Sequence, residues 1–449
     1  MSCLLAEGGP DADLSAADLR EHMATVASAW CAGAKRVLLI PPDHTRPKSF
    51  AGAMARELWS LLEPAARVDV MPALGTHHPM SEAQIRRFFG EVIPPDRFLV
   101  HRWDGGLDAL GSVDGLEVDR LSGGRLARAG VIEDVEVAVN PAVTSGGYDA
   151  VISLGQVVPH EVVGLANYTK NVMIGVGGKP VIDRSHLLGA VYGMERVMGR
   201  ADTPVRRLLD GMYRRFVEPK TRVGFVLSVV EGVPAGPAGP GVPGGGGTRP
   251  TLRGLYAGHD GAAFERAAAL SRVVNLTDLD RPIRTCVVRL DPQTYASTWL
   301  GNKAIYRTRM AMATGGRLIV LAPGVERFGE NARTDPLIAR FGYFGTQRTL
   351  GAMAEHAALR AEAGVAAHLI HGSGENRFRI TYATDPTKLP AEAVRGVGFD
   401  HEDHDAAVAR LGADTLTPGW NRRGGEEVFY VPDPGIGLWS ADTEEHEEP

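Results

Sequence analysis

The run Tyr148-Asp149-Ala150-Val151-Ile152-Ser153-Leu154 constrains the fold most. It is short, apolar and rich in β-branched residues, so it predicts a buried strand. Similar runs recur at Lys35–Ile40, Arg67–Met71, Phe98–Val100 and Arg222–Val230. Segments of helical period lie between them. Ser15 is a candidate cap for a helix to Trp30, and Ser81 with Gln84 has the form of a capping box for SEAQIRRFF. Strands alternating with helices predict an α/β protein with mainly parallel sheets. Leu116–Val118 and Val135–Val139 alternate in polarity and predict a small antiparallel extension. A helix is expected over Val191–Leu209, and another within Gly254–Leu270.

A second α/β series starts at Thr285, with strands at Cys286–Leu290, Leu318–Gly324 and Val365–Ile370. Helices are predicted over Thr298–Met312, 334–341 and 347–364. The expected organisation is therefore two α/β domains. Residues 1–282 form the first, with 232–250 as a flexible Gly/Pro insert, since that stretch lacks a collagen-like triplet period. Residues 283–400 form a Rossmann-like second domain. Residues 401–449 are expected to return onto the first domain and end in an acidic, disordered tail. No G-x-G-x-x-G follows a strand, so no dinucleotide site is indicated.

Composition narrows the function. The chain has 449 residues, 44% hydrophobic and 23% charged, with a formal net charge of -6. That balance speaks against nucleic acid as a partner. Cys3, Cys31 and Cys286 form no C-x-x-C pair, which excludes a Cys-rich metal site and fits a reducing compartment. With no basic, apolar leader and no run long enough for a membrane span, the expected location is the cytoplasm.

Chemistry-bearing residues gather after the predicted strands, where α/β folds place their ligand sites. After Ile40 comes Pro41-Pro42-Asp43-His44-Thr45-Arg46-Pro47, and after Met71 comes Leu74-Gly75-Thr76-His77-His78. The stretch Gly155–Gly189 carries His160, Gly164 and Lys170 as H-x3-G-x5-K, followed by His186. An Asp43–Arg46 ion pair could simply brace its turn, and one of two neighbouring histidines, here His78, is usually solvated. His101-Arg102-Trp103-Asp104 carries no evident mechanism and reads as structural or supporting.

Together the D-x-T-R-P, G-T-H and H-x9-K patterns resemble the nickel-pincer-nucleotide lactate racemase family. That resemblance implies a nickel-pincer nucleotide cofactor held covalently by Lys170, with His186 binding the nickel and Asp43 contacting the cofactor region. It implies His77 and His160 as paired acid/base groups that invert C2 of a 2-hydroxy acid. Arg46 and Lys303 would hold the substrate carboxylate, one from each domain, in an interdomain cleft. Maturation would require the proteins that make the cofactor; the oligomeric state is left open. Lys179 in Gly-Gly-Lys-Pro lacks the family spacing.

Two departures are visible. Leu165-Ala166-Asn167-Tyr168-Thr169 stands where the family commonly has a Ser-Gly-Gly run, and Trp299-Leu300 stands where it often has Tyr-Gln. The second exchanges polar groups for apolar surface and predicts a substrate larger than lactate, with Trp299 in contact with it. Two other readings stay open. One is a zinc hydrolase using His77, His160 and His186; the other is a metabolite-binding homologue without the cofactor.

Overall fold

The run around Val151 forms the strand Ala150–Gln156, buried along nearly its whole length. Parallel strands flank it on both edges, Arg36–Ile40 on one side and Val223–Pro234 on the other. The computed structural model describes residues 3–63, 65–234 and 248–442. Arg67–Val70 extends the sheet beyond Arg36–Ile40, again in parallel. On the far side Thr248–Gly258 follows Val223–Pro234, and Leu5–Gly8 closes the edge antiparallel to it. Branched side chains suit such strands because both faces are covered. Val37, Leu38, Leu39 and Ile40 are fully buried, each worth roughly 1.5–3 kcal/mol relative to exposure.

The helices Ala16–Trp30 and Glu82–Phe89 begin at Ser15 and Ser81, each with a complete capping box. This first unit comprises the chain up to Tyr192, then Arg196–Glu231 and Pro250–Val274. The second unit comprises Gly193–Glu195, the described part of 232–249, and the chain from Asn275 onward. Its sheet is built on Ile283–Arg289, Met312–Ala322, Arg379–Thr384 and Asp400–Asp403, all parallel. Glu426–Val431 joins the other edge in parallel, followed by the antiparallel Gly419–Arg423. The α/β class with mainly parallel sheets is therefore as expected.

Several local expectations are corrected. Leu116–Val118 is helical, because Asp114 accepts from the N–H groups of Leu116 and Glu117 and starts the helix Gly115–Ser122. The antiparallel partner of Val135–Val139 is instead Asp108–Val113. Phe98 makes only an isolated bridge to Val70, after the turn Pro95–Arg97. Val365–Ile370 lies in the helix Ala363–His371, where the alanines outweigh two β-branched residues. The helix expected over Val191–Leu209 is split into Lys179–Tyr192 and Pro204–Met212, each side of a short turn. The described residues after 400 belong to the second unit, not the first, because Asp400–Asp403 and Glu426–Val431 hydrogen-bond into its sheet. Most of the Gly/Pro insert and the acidic tail lie outside the described residues. Among the described residues, no helix is long and apolar enough to cross a membrane.

Candidate functional site

Strand order in the first unit reverses between Arg36–Ile40 and Ala150–Gln156: the chain passes from the former outward to Arg67–Val70, then returns to the latter's side. A reversal of this kind opens a crevice at the carboxyl ends of the two strands. Asn171 ties that crevice together, its amide donating to the Ile40 carbonyl and to Ser153 Oγ at 2.9 Å each.

The loop after Ile40 places Asp43 in the crevice at 3% exposure. Its Oδ1 accepts from Thr45 Oγ1 at 2.6 Å and from the Thr45 N–H at 3.1 Å. Its Oδ2 lies 2.6 Å from His77 Nδ1. Burial opposes ionisation, but His77, Thr45 and His44 outweigh it and hold the Asp43 carboxyl well below the usual carboxylate range. A carboxylate can only accept, so His77 donates from Nδ1, and in the neutral tautomer this selects the lone pair lies on Nε2. The Gly75 N–H donates to the Gly175 carbonyl at 2.9 Å, which pins the His77 loop to the segment following Lys170. His78 is exposed, as expected of the second histidine.

The H-x3-G spacing is a tight hairpin. Pro159–His160 pairs antiparallel with Gly164–Leu165, and His160 stands opposite Gly164. Gly164 has φ +89°, and a Cβ there would lie 2.1 Å from the Arg200 carbonyl oxygen. His160 is 4% exposed, and its Nδ1 accepts the Val162 N–H at 3.1 Å. Its neutral ring therefore carries the proton on Nε2, the opposite tautomer to His77. Burial pushes the His160 imidazole well below the ordinary histidine range. Lys170, Arg46 and His186 add to the effect, and Glu161 opposes it.

Lys170 sits in the short helix Thr169–Met173. Asn167 and Tyr168, just before it, have φ of 68° and 59°. Arg206 holds this bend from the helix Pro204–Met212, donating to the carbonyls of Leu165 at 2.7 Å and Asn167 at 3.1 Å and to Thr169 Oγ1 at 3.0 Å. Lys170 keeps some accessible surface, yet protein surrounds its amine. Burial, with Arg46 and Arg206 nearby, pushes the ammonium down to about 8, against Glu161 and Asp43. His186, on the helix Lys179–Tyr192, donates from Nδ1 to the Ile182 carbonyl at 2.6 Å. That leaves Nε2 as the free lone pair, and burial, with Lys170 nearby, pushes the ring down to about 4.

The structure thus places His160 within electrostatic reach of Arg46, Lys170 and His186, and Lys170 within reach of Arg46 and His186, while Asp43 links Lys170 to His77. Two members were not read from the sequence. Glu161 follows His160 directly and is the acidic group shared by His160, Lys170 and His186. Arg206 lies far along the chain, in a helix whose sequence carries no sign of this role.

Lys179 is paired with Asp183. His101 is 2% exposed, donates from Nε2 to the Gly177 carbonyl at 3.1 Å, and is pushed down to about 4 by burial, so it braces the turn after the Lys170 helix. Among the described residues, no group of three or more His, Cys, Asp or Glu side chains could hold a metal ion. The all-histidine zinc reading of His77, His160 and His186 is therefore not favoured.

Trp299 and Lys303 belong to the second unit. Trp299 stacks on the buried His368 with ring centroids 4.2 Å apart, and His368 is held by the hydroxyls of Tyr306 and Tyr343 at 3.0 and 2.9 Å. Lys303 opens the helix Lys303–Thr308, its ammonium 5.5 Å from the Tyr295 ring centroid.

No protein-family model and no curated protein matches the chain. Solved structures do. One is a protein from Thermotoga maritima, 23% identical over 97% of this chain and 100% of that one, with a TM-score of 0.79. Another is the lactate racemase apoprotein from Thermoanaerobacterium thermosaccharolyticum, 15% identical over 96% of this chain and 90% of that one, with a TM-score of 0.63. At such identities the likeness is one of architecture, and by it the chain has a lactate racemase-like fold.

Proposed function

We propose that this chain is a 2-hydroxy acid racemase or epimerase that works with a nickel-pincer nucleotide attached to Lys170. The observation that carries the reading is the gathering of Lys170, His160, His186 and Arg46 at the strand-order reversal, beside the Asp43–His77 pair. The residues fit the group. An amine pushed down to about 8 is available as a nucleophile near neutral pH. His186 is oriented by a backbone carbonyl with Nε2 free, as metal-bound histidines usually are, and imidazole suits nickel.

When bound, the cofactor supplies an acceptor for the hydride on C2, which no side chain can provide. The chain's own residues handle protons and position. His77 takes the substrate hydroxyl proton at Nε2, and the Asp43 carboxylate stabilises the imidazolium that forms. His160 presents its Nε2–H from the other side, and in the reverse direction the two exchange roles. Arg46 binds the carboxylate through its planar fork, and Lys303 supplies a second cation. Loading requires the cofactor-making proteins as partners.

Intact mass of protein co-produced with those proteins tests the reading. Wild type and Lys179→Ala should carry the cofactor's mass increment, and Lys170→Ala should lack it. The reverse pattern, or no increment in wild type, would overturn the assignment.

A further inference from the structure

The second unit holds a cavity of about 630 Å³ at the end where its parallel strands begin, lined by Arg281, Arg284, Arg317, Arg379 and Trp420 among others. Arg317 stands directly across from Arg379 on the neighbouring strand, with Thr285 on its other side. Like charges placed directly across a sheet repel one another and persist where something offsets them. Arg379 is offset by Asp400, which accepts two of its N–H groups at 3.0 and 2.8 Å. Arg281 is offset by Glu427 at 3.3 Å and by Asp280 at 3.1 Å, and lies 4.3 Å over the Trp420 ring. Glu427, which lines the cavity with Glu426, is thus already engaged. Arg284 and Arg317 have no acidic partner among the described residues. Arg317 Nε is also cut off from water without a hydrogen-bond partner.

We propose that this cavity is a binding site for a small anion bearing a diphosphate or longer phosphate group. The guanidinium forks of Arg284 and Arg317, on neighbouring strands and lining one cavity, offer donors to an anion with oxygens for both. Linked phosphates offer these as paired acceptors, the geometry that arginine binds best. Neither arginine belongs to the site of the proposed reaction, so the inference stands apart from that reading.

Calorimetric titration of the full chain with inorganic pyrophosphate, in a buffer free of phosphate, tests it. Wild type should bind saturably at one site. The Arg284→Gln/Arg317→Gln double variant should bind at least tenfold more weakly, with its thermal midpoint as the check on folding. Arg86→Gln, on the helix Glu82–Phe89 of the first unit, should bind as wild type does. If the double variant fails to fold, Arg284→Gln at its exposed position carries the test, with a threefold or larger loss expected. Non-saturable binding, or unchanged affinity in a folded variant, would overturn the proposal. Succinate binding as tightly as pyrophosphate would overturn the phosphate assignment.

Discussion

Asp43 shows how one buried carboxylate sets the state of another residue. By holding the Nδ1–H of His77 it leaves Nε2 as the only site where that ring can take a proton. Asp43→Asn should lower turnover of the loaded enzyme by about 10²–10⁴-fold while leaving the mass increment on Lys170 in place. The depressed Asp43 carboxyl contributes stability that is fully present above its unfolded pKa, near 4, and is lost as pH falls through its lower folded value. The acid limb of a denaturation series should therefore be steeper in wild type than in Asp43→Asn. Lys170 carries the opposite sign. Between about 8 and its ordinary 10.5 the unfolded chain binds more protons at this residue, so its linkage makes stability rise with pH across that window. Lys170→Met should stabilise the cofactor-free protein by on the order of 2 kcal/mol at pH 7, with the gain fading towards pH 10. Equal denaturant midpoints at pH 7 would count against it.

At the scale of elements, the decisive piece is the hairpin and bend from His160 to Lys170. Gly164 is required twice over, by its positive φ and by the Arg200 carbonyl against it. Gly164→Ala should cost about 2–4 kcal/mol in thermal or denaturant unfolding. A loss below about 0.5 kcal/mol would show that the hairpin relaxes at no real cost. The bend that follows explains how the Leu165–Thr169 departure is tolerated. Asn167 and Tyr168 adopt left-handed φ within the stretch where the resembled family commonly has a Ser-Gly-Gly run, and the strain is offset from outside. Arg206 satisfies the local carbonyls, while Tyr168 packs against Phe225 and Phe264 at 4.6 and 5.4 Å between ring centroids. None of this is a local propensity, so no window of sequence around Lys170 contains it.

For the whole molecule, the functional reading turns on substrate size. One face of the Trp299 indole is taken by His368, so it is a packed, half-buried residue that keeps apolar ring surface and one indole N–H donor. Among chiral 2-hydroxy acids assayed by chiral chromatography, lactate should be a poor substrate and a larger aromatic, branched or sugar-derived acid a better one. Apolar contacts discriminate by roughly 10–200-fold per group, so that is the scale of preference expected. Lactate with the highest kcat/KM of the panel would refute the size argument. The sequence by itself determined the α/β class, the strands around Val151, Leu38 and Val68, the Ser15 cap, the Ser81–Gln84 capping box, and the polar loops at strand ends that carry Asp43, His77, His160 and Lys170. Each follows from a local cause: β-branched burial, a side-chain cap, or a polar loop at a strand end. Only the tertiary structure decided strand order, the helical state of Val365–Ile370, the place of the chain after residue 400, and the roles of Glu161 and Arg206. It also decided that His77 and His160 hold opposite tautomers. Those depend on which distant carbonyl, amide or carboxylate faces each group, and such pairings leave no periodic trace in a single chain.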